Sequence, residues 1–220
     1  MSFTSAEILA MAPVVPVITI TDVDQAVPLA KALIRGGIPV LEITLRTDQG
    51  LAAISRIKQE IEGAVVGAGT VTDGRELDQA LAAGSEFIIT PGLTPSLLAA
   101  GVACGVPFMP GVATVSELMA CLEKGLRTLK FFPAEASGGA AALKAFSGPF
   151  PQVRFCPTGG IGPDNIASYL ALNSVLSVGG SWITPDRLIA EQNWAAITDL
   201  AEQACALVSR IRQPSTGINP

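Results

Sequence analysis

One unit recurs along this chain: a short apolar run, a turn, then a stretch whose apolar residues return every three or four positions. The apolar runs fall at Val14–Ile20, Val40–Arg46, Ala64–Thr70, Phe87–Gly92, Pro107–Val112, Thr128–Pro133, Arg154–Gly160 and Val175–Trp182. Helical stretches follow near Val23–Arg35, Gln49–Glu60, Asp73–Ala83, Pro95–Ala103, Val115–Lys124, Gly139–Phe146, Pro163–Leu170 and Ala195–Arg212. Asp22, Asp48, Thr72, Thr94 and Thr114 stand where an N-cap belongs, and Gly36, Gly84 and Gly125 where a helix should stop. Pro95 and Pro163 suit a first helical turn.

Eight strand–helix units in succession predict an α/β protein, a (β/α)8 TIM barrel, near the short end of the ~250 residues usual for that fold. A doubly wound open sheet is the competing arrangement, but it needs fewer units, and no GxGxxG follows the first strand. Residues 1–12 read as an N-terminal helix capping the barrel floor, residues 13–212 as one barrel domain, and residues 213–220, polar and rich in Pro and Gly, as a mobile tail.

Composition narrows the chemistry. The chain has no histidine, which removes histidine bases, Ser-His-Asp triads and histidine-containing metal sites together. Acid–base work then falls to carboxylates, lysine, tyrosine or cysteine. The single tyrosine, Tyr169, lies in a helical pattern and reads as packing. Cys104, Cys121, Cys156 and Cys205 form no CxxC pair, so they are expected to be free thiols in a reducing cytoplasm, with no structural zinc. Cys156 lies in a strand beside a glycine-rich turn and reads as a small buried hydrophobe. The N-terminus, with Glu7 and no basic n-region, does not read as a signal peptide, and no apolar stretch is long enough to span a membrane. A net charge of −5 without a basic run argues against nucleic acid as a partner.

Catalytic side chains of such barrels sit at the C-terminal ends of strands. Lys130 interrupts the apolar run Thr128-Leu-Lys-Phe-Phe-Pro. Burial disfavours the ammonium form of a lysine, and a neutral amine is what Schiff-base chemistry on a carbonyl needs. The competing reading is a lysine whose stem packs while its head reaches water. Alternation turns Lys130 and Phe132 inward with Thr128, and Leu129 and Phe131 toward the helices. On the second strand it sends Leu41, Ile43 and Leu45 outward, and Glu42, Thr44 and Arg46 toward the axis. Those inward charges are costly unless paired or used, so a structural Glu42–Arg46 ion pair stands beside a catalytic role. Strands three and four end in Thr70, a hydroxyl, and Pro91, a rigid wall, with Phe132 as a second wall. Strands seven and eight end in Thr158-Gly159-Gly160 and Gly179-Gly180-Ser181, where backbone N–H groups and two hydroxyls suit a phosphate.

The stretches Val14-Val-Pro-Val-Ile, Leu41-Glu-Ile-Thr-Leu-Arg-Thr, Val66-Gly-Ala-Gly-Thr, Thr90-Pro-Gly, Pro110-Gly-Val, Lys130-Phe-Phe-Pro-Ala-Glu, Arg154-Phe-Cys-Pro-Thr-Gly-Gly-Ile and Gly179-Gly-Ser-Trp occur in this order. With them the chain, from about Glu7 to Arg212, resembles the 2-keto-3-deoxy-6-phosphogluconate (KDPG) and 4-hydroxy-2-oxoglutarate (KHG) aldolases. The resemblance implies a class I aldolase, a lyase that cleaves KDPG to pyruvate and glyceraldehyde 3-phosphate in the Entner–Doudoroff route. It also implies action on 4-hydroxy-2-oxoglutarate, no metal or other cofactor, and a homotrimer. It makes Lys130 the Schiff-base lysine, Glu42 the general acid/base, and Arg46 with Thr70 the binders of the keto-acid carboxylate. The two glycine-rich ends with Ser181 would receive the phosphate. A sugar-phosphate isomerase or epimerase barrel would keep those ends without needing an inward lysine, and a non-catalytic barrel would hold Lys130 inert.

Overall fold

The computed structural model describes residues 3–213. The expected mobile tail lies, apart from Gln213, outside the described residues. Nine short strands run through them: β1 (Val14–Ile18), β2 (Val40–Thr44), β3 (Val65–Gly69), β4 (Ile88–Ile89), β5 (Phe108–Met109), β6 (Gly111–Val112), β7 (Thr128–Phe131), β8 (Arg154–Pro157) and β9 (Val178–Gly180). Every named pair is parallel. One sheet has the order β5-β4-β3-β2-β1-β9 and a second the order β6-β7-β8. The bridges Phe155↔Val175 and Thr158↔Gly179 lead from the second sheet to the β9 edge of the first. On the other side only Pro110 separates β5 from β6. Proline has no N–H to give a ladder, so the strand assignment breaks there, yet the Pro110 carbonyl still accepts from Lys130 N at 3.0 Å.

The helices are α1 (Ser5–Met11), α2 (Ala26–Arg35), α3 (Gly50–Glu60), α4 (Gly74–Ala82), α5 (Pro95–Ala103), α6 (Val115–Glu123), α7 (Gly139–Ser147), α8 (Ile166–Leu170), α9 (Asp186–Ala190) and α10 (Trp194–Arg212). Parallel strands need such crossovers, and helices on the faces leave the strands apolar on both sides. β1, β2 and β3 are accordingly buried at every position. One continuous core links their Val, Ile and Leu side chains to the inner faces of the helices.

Local signals explain several helix starts. Thr114 and Glu117 form a reciprocal capping box at α6, and Thr94 caps α5 with Pro95 in its first turn. At α4 the cap is Asp73, one residue past the expected Thr72, whose N–H and hydroxyl are taken by Glu76. Asp22 caps a short 3-10 turn (Val23–Gln25) ahead of α2, and α3 starts after Gln49 with no side-chain cap from Asp48. Gly84 and Gly125 follow the last helical residues in the left-handed conformation, as a helix stop requires. Two expectations fail on length. Pro163 lies outside α8, which begins at Ile166, and the five-residue α9 has too few turns to show a period. The strands are also shorter than the apolar runs, because the runs continue into loops that no longer pair. Tyr169 does more than pack: fully buried on α8, it donates its hydroxyl to Glu135.

The first helix holds the other end of the strands. Ile8 and Leu9 of α1 are fully buried, and Ser177 Oγ, next to β9, donates to the Ala12 carbonyl at 2.7 Å. Leu9→Ala removes packing that cannot be replaced by water. It should lower the unfolding free energy by about 3 kcal/mol, read as a lower urea midpoint at unchanged slope. An unchanged midpoint would mean that α1 rests on the body without completing its core.

Candidate active site

Lys130 is the third residue of β7, paired with Gly111 on one side and Cys156 on the other. Glu42 is the third residue of β2, which pairs with β1 and β3 and never with β7. The two side chains therefore meet across the interior. Lys130 Nζ donates to Glu42 Oε1 at 3.1 Å, with only 5% and 2% of the side chains exposed. Removing two opposite charges from water costs several kcal/mol per ion, which the mutual attraction repays only in good geometry. The Phe132 ring adds to the ammonium's surroundings, its centroid 5.2 Å from Nζ. Glu42 in turn depends on Gly69 at the end of β3. A Cβ there would sit 2.2 Å from Glu42 Oε1, so the carboxylate lies where a side chain would otherwise be.

Arg46 is not the partner of Glu42. It lies beyond the last residue of β2, is exposed, and takes part in no ion pair among the described residues. It lines a cavity of about 200 Å³ together with Phe132, Thr158, Gly159, Gly160, Gly179, Gly180 and Ser181. Eight residues singled out from separate strand ends thus share one hollow, and Phe132 connects it to the lysine. Val17 and Ile161 complete the lining. Both are ordinary members of apolar stretches, and nothing in the pattern marks them.

Thr70 follows Gly69 with a φ of 60°, a conformation a β-branched residue rarely adopts. Such backbone positions persist only where their surroundings hold them, and they gather at functional sites. Pro91 departs from expectation. It lines a separate hollow with Val71, Thr72, Leu93 and Leu97, not the one containing Arg46. The reason lies in its backbone: the β4 end turns so that Thr90 Oγ1 donates to Gly92 O at 2.6 Å and accepts from Gly111 N at 3.3 Å. A larger groove of about 730 Å³ runs along α10 past Trp182, Leu200 and Leu207, but it holds neither member of the ionised pair. Size does not mark the site here; converging charge does. No group of three or more His, Cys, Asp or Glu suited to a metal occurs among the described residues.

A buried amine joined to a carboxylate, with Phe132 between it and a glycine-lined hollow at the strand ends, is the equipment of an enzyme that works on carbonyl compounds through an amine. The family model for KDPG and KHG aldolase matches residues 6–200, and the chain belongs to that family: it is an aldolase, a lyase. The KHG/KDPG aldolase of Escherichia coli K12 is 52% identical over 202 residues, covering 91% of this chain and 95% of the relative. A Legionella pneumophila KDPG aldolase, solved with pyruvate captured at low pH as a covalent carbinolamine intermediate, superposes with a TM-score of 0.91. It is 46% identical, covering 93% of this chain and 99% of that one. The Zymomonas mobilis enzyme with 3-phosphoglycerate gives 0.86 at 49% identity, covering 91% and 94%.

Cys156 adjoins the ionised pair as a passive wall. Burial above all, then the charge of Glu42, pushes its thiol up to about 12 against the opposing effect of Lys130. Burial, with Glu117, pushes Cys121 up to about 12 as well. Since only the thiolate alkylates, both should resist iodoacetamide at pH 8 in the native protein and react once urea unfolds it. Half-exposed Cys104 serves as the internal comparison. Peptide mapping that finds Cys156 labelled in the native state as fast as in urea would contradict this.

Proposed function

We propose that this aldolase cleaves KDPG to pyruvate and glyceraldehyde 3-phosphate through a Schiff base on Lys130, and cleaves 4-hydroxy-2-oxoglutarate to pyruvate and glyoxylate by the same route. The observation that carries the reading is the buried Lys130–Glu42 contact at 3.1 Å, with the Phe132 ring 5.2 Å from the lysine and also in the lining of the glycine-rich cavity. The carbinolamine in the Legionella relative supports the covalent step, and the 3-phosphoglycerate in the Zymomonas relative supports a phosphorylated ligand.

Lys130 must shed a proton before it can attack, and Glu42 is in place to take it. The amine then adds to the C2 carbonyl, and Glu42 returns its proton to the departing hydroxyl, so that loss of water gives an iminium and leaves Glu42 ionised. Glu42 removes the C4 hydroxyl proton while the C3–C4 electrons flow into the iminium, releasing the aldehyde and leaving an enamine. The proton returns to C3 through a water, and hydrolysis frees pyruvate and Lys130. Arg46, exposed at the cavity wall and in no ion pair among the described residues, holds the substrate carboxylate with Thr70, which spares the reacting carbons a search for geometry. Thr158, Ser181 and the N–H groups of Gly159, Gly160, Gly179 and Gly180 receive the phosphate. Phe132 walls the approach.

The same reading takes residues 13–212 as one domain, with residues 1–12 as its cap and β5 and β6 as halves of one strand in a closed ring of eight. The Thr158↔Gly179 bridge supports closure on one side and the Lys130–Pro110 bond on the other. The four free cysteines support a reducing cytoplasmic setting, and the family resemblance supports a homotrimer.

Pyruvate followed by borohydride should modify Lys130 covalently and abolish activity, while EDTA leaves turnover intact; a label on another lysine would overturn the assignment. Glu42→Gln should still accept the label. It should slow exchange of the pyruvate methyl protons by about a hundredfold or more, the usual loss for an absent general base. Wild-type exchange in that variant would move the acid/base role elsewhere. Ser181→Ala should cost about tenfold in kcat/KM on KDPG, one bond to a charged group, and little on 4-hydroxy-2-oxoglutarate. Equal losses on both would make Ser181 a shaping residue.

A further inference from the structure

The turn that carries Gly159 and Gly160 is held from outside the cavity. Glu135 N donates to the Gly159 carbonyl at 3.1 Å, and Asn165 Nδ2 to the Gly160 carbonyl at 2.9 Å. In a trans peptide C=O and N–H point opposite ways. The N–H groups of Gly160 and Ile161 are therefore directed away from Glu135 and Asn165. Gly160 has a φ of 76°, and a Cβ on it would come within 2.7 Å of Glu135 Cγ. The Glu135 side chain lies directly against the turn.

A carboxylate in that place is a liability for anion binding. Its charge, although Glu135 is exposed, is a few ångströms from the backbone that is to hold a phosphate, well inside the ~10 Å over which salt screens like charges. Tyr169 answers this. Its ring is fully buried, its hydroxyl donates to Glu135 Oε1, and Gly139, whose Cβ would lie 3.4 Å from both oxygens, leaves them room. Burial, and then the bond and charge of Glu135, raise the phenol well above its usual range, so it stays a donor.

We infer that Tyr169 and Glu135 are positioning residues for phosphate recognition: the tyrosine hydroxyl draws the glutamate carboxylate off the anion site and presses its stem against Gly160, which orients the turn. Neither residue touches the reacting carbons. This inference rests on the placement of the phosphate proposed above.

Steady-state kinetics on KDPG and 4-hydroxy-2-oxoglutarate test it in wild type, Tyr169→Phe, Glu135→Gln and Ser181→Ala. Tyr169→Phe frees the carboxylate and should raise KM for KDPG roughly five- to tenfold, the worth of one lost bond to a charged group. Its kcat, its kcat/KM on 4-hydroxy-2-oxoglutarate and its borohydride trapping with pyruvate should stay near wild type. Glu135→Gln keeps the stem and an acceptor for the tyrosine while losing the charge, and should keep the wild-type KM. Adding Glu135→Gln to Tyr169→Phe should recover most of the loss, a rescue that a merely structural role would not give. Equal losses on both substrates, or no rescue, overturn the inference. If Tyr169→Phe does not fold, Glu135→Ala takes its place: loss confined to KDPG supports the inference, and loss on both substrates overturns it. Ser181→Ala separates the two levels. If it spares KDPG, the phosphate placement fails and this inference with it; if it harms KDPG while Tyr169→Phe does not, the inference fails alone.

Discussion

Two opposite charges buried against each other set the terms for the rest of this molecule. The ammonium of Lys130 and the carboxylate of Glu42 lie 3.1 Å apart and almost without water. Such a pair is a poor source of stability, since apolar residues of the same volume would often do as well, whereas removing one partner costs about 3–5 kcal/mol. The fold therefore has to supply stability from elsewhere and hold the pair in register. It does so with strands buried on both faces and helices packed outside them. Lys130 is fixed by neighbours on both edges of β7, and Glu42 by neighbours on both edges of β2.

The two ends of the strands are built differently. At α1, Ile8 and Leu9 are closed off from water, and a serine hydroxyl ties the helix exit to the chain just ahead of β9. Around the cavity the chain is glycine-rich, hydroxyl-rich and open, with Arg46 exposed. Short strands and loops that stop pairing are what make room there. The α1 packing lies at one end and the cavity at the other, the division expected where catalytic groups stand on strand ends.

Much of this was legible in the residues themselves. Period-2 alternation put Glu42 and Lys130 on inner faces, because one buried strand face excludes the other register. Thr94 and Thr114 announced helix starts through hydroxyls that the backbone needs. The partner of Glu42 was not legible. Arg46 is near in sequence and Lys130 is 88 positions away, so only the curvature of the strands decides between them. Pro91 was misplaced for a similar reason: the turn at Gly92 is set by Thr90 and by Gly111 on another strand. Tyr169 looked like packing because its acceptor, Glu135, belongs to a different loop. Pairings between distant segments leave no local period, whereas elements and faces do.

The missing side chain at Gly69 has a consequence for how this enzyme can change. A single methyl group there would occupy the place of the Glu42 carboxylate, although nothing about the strand's own pairing forbids it. Folding and chemistry thus make the same demand on one position. Pushing the carboxylate aside would leave the Lys130 ammonium buried without its partner, a loss of about 3–5 kcal/mol. A lineage selected only for abundance or heat tolerance would therefore keep that glycine, and with it the working charge.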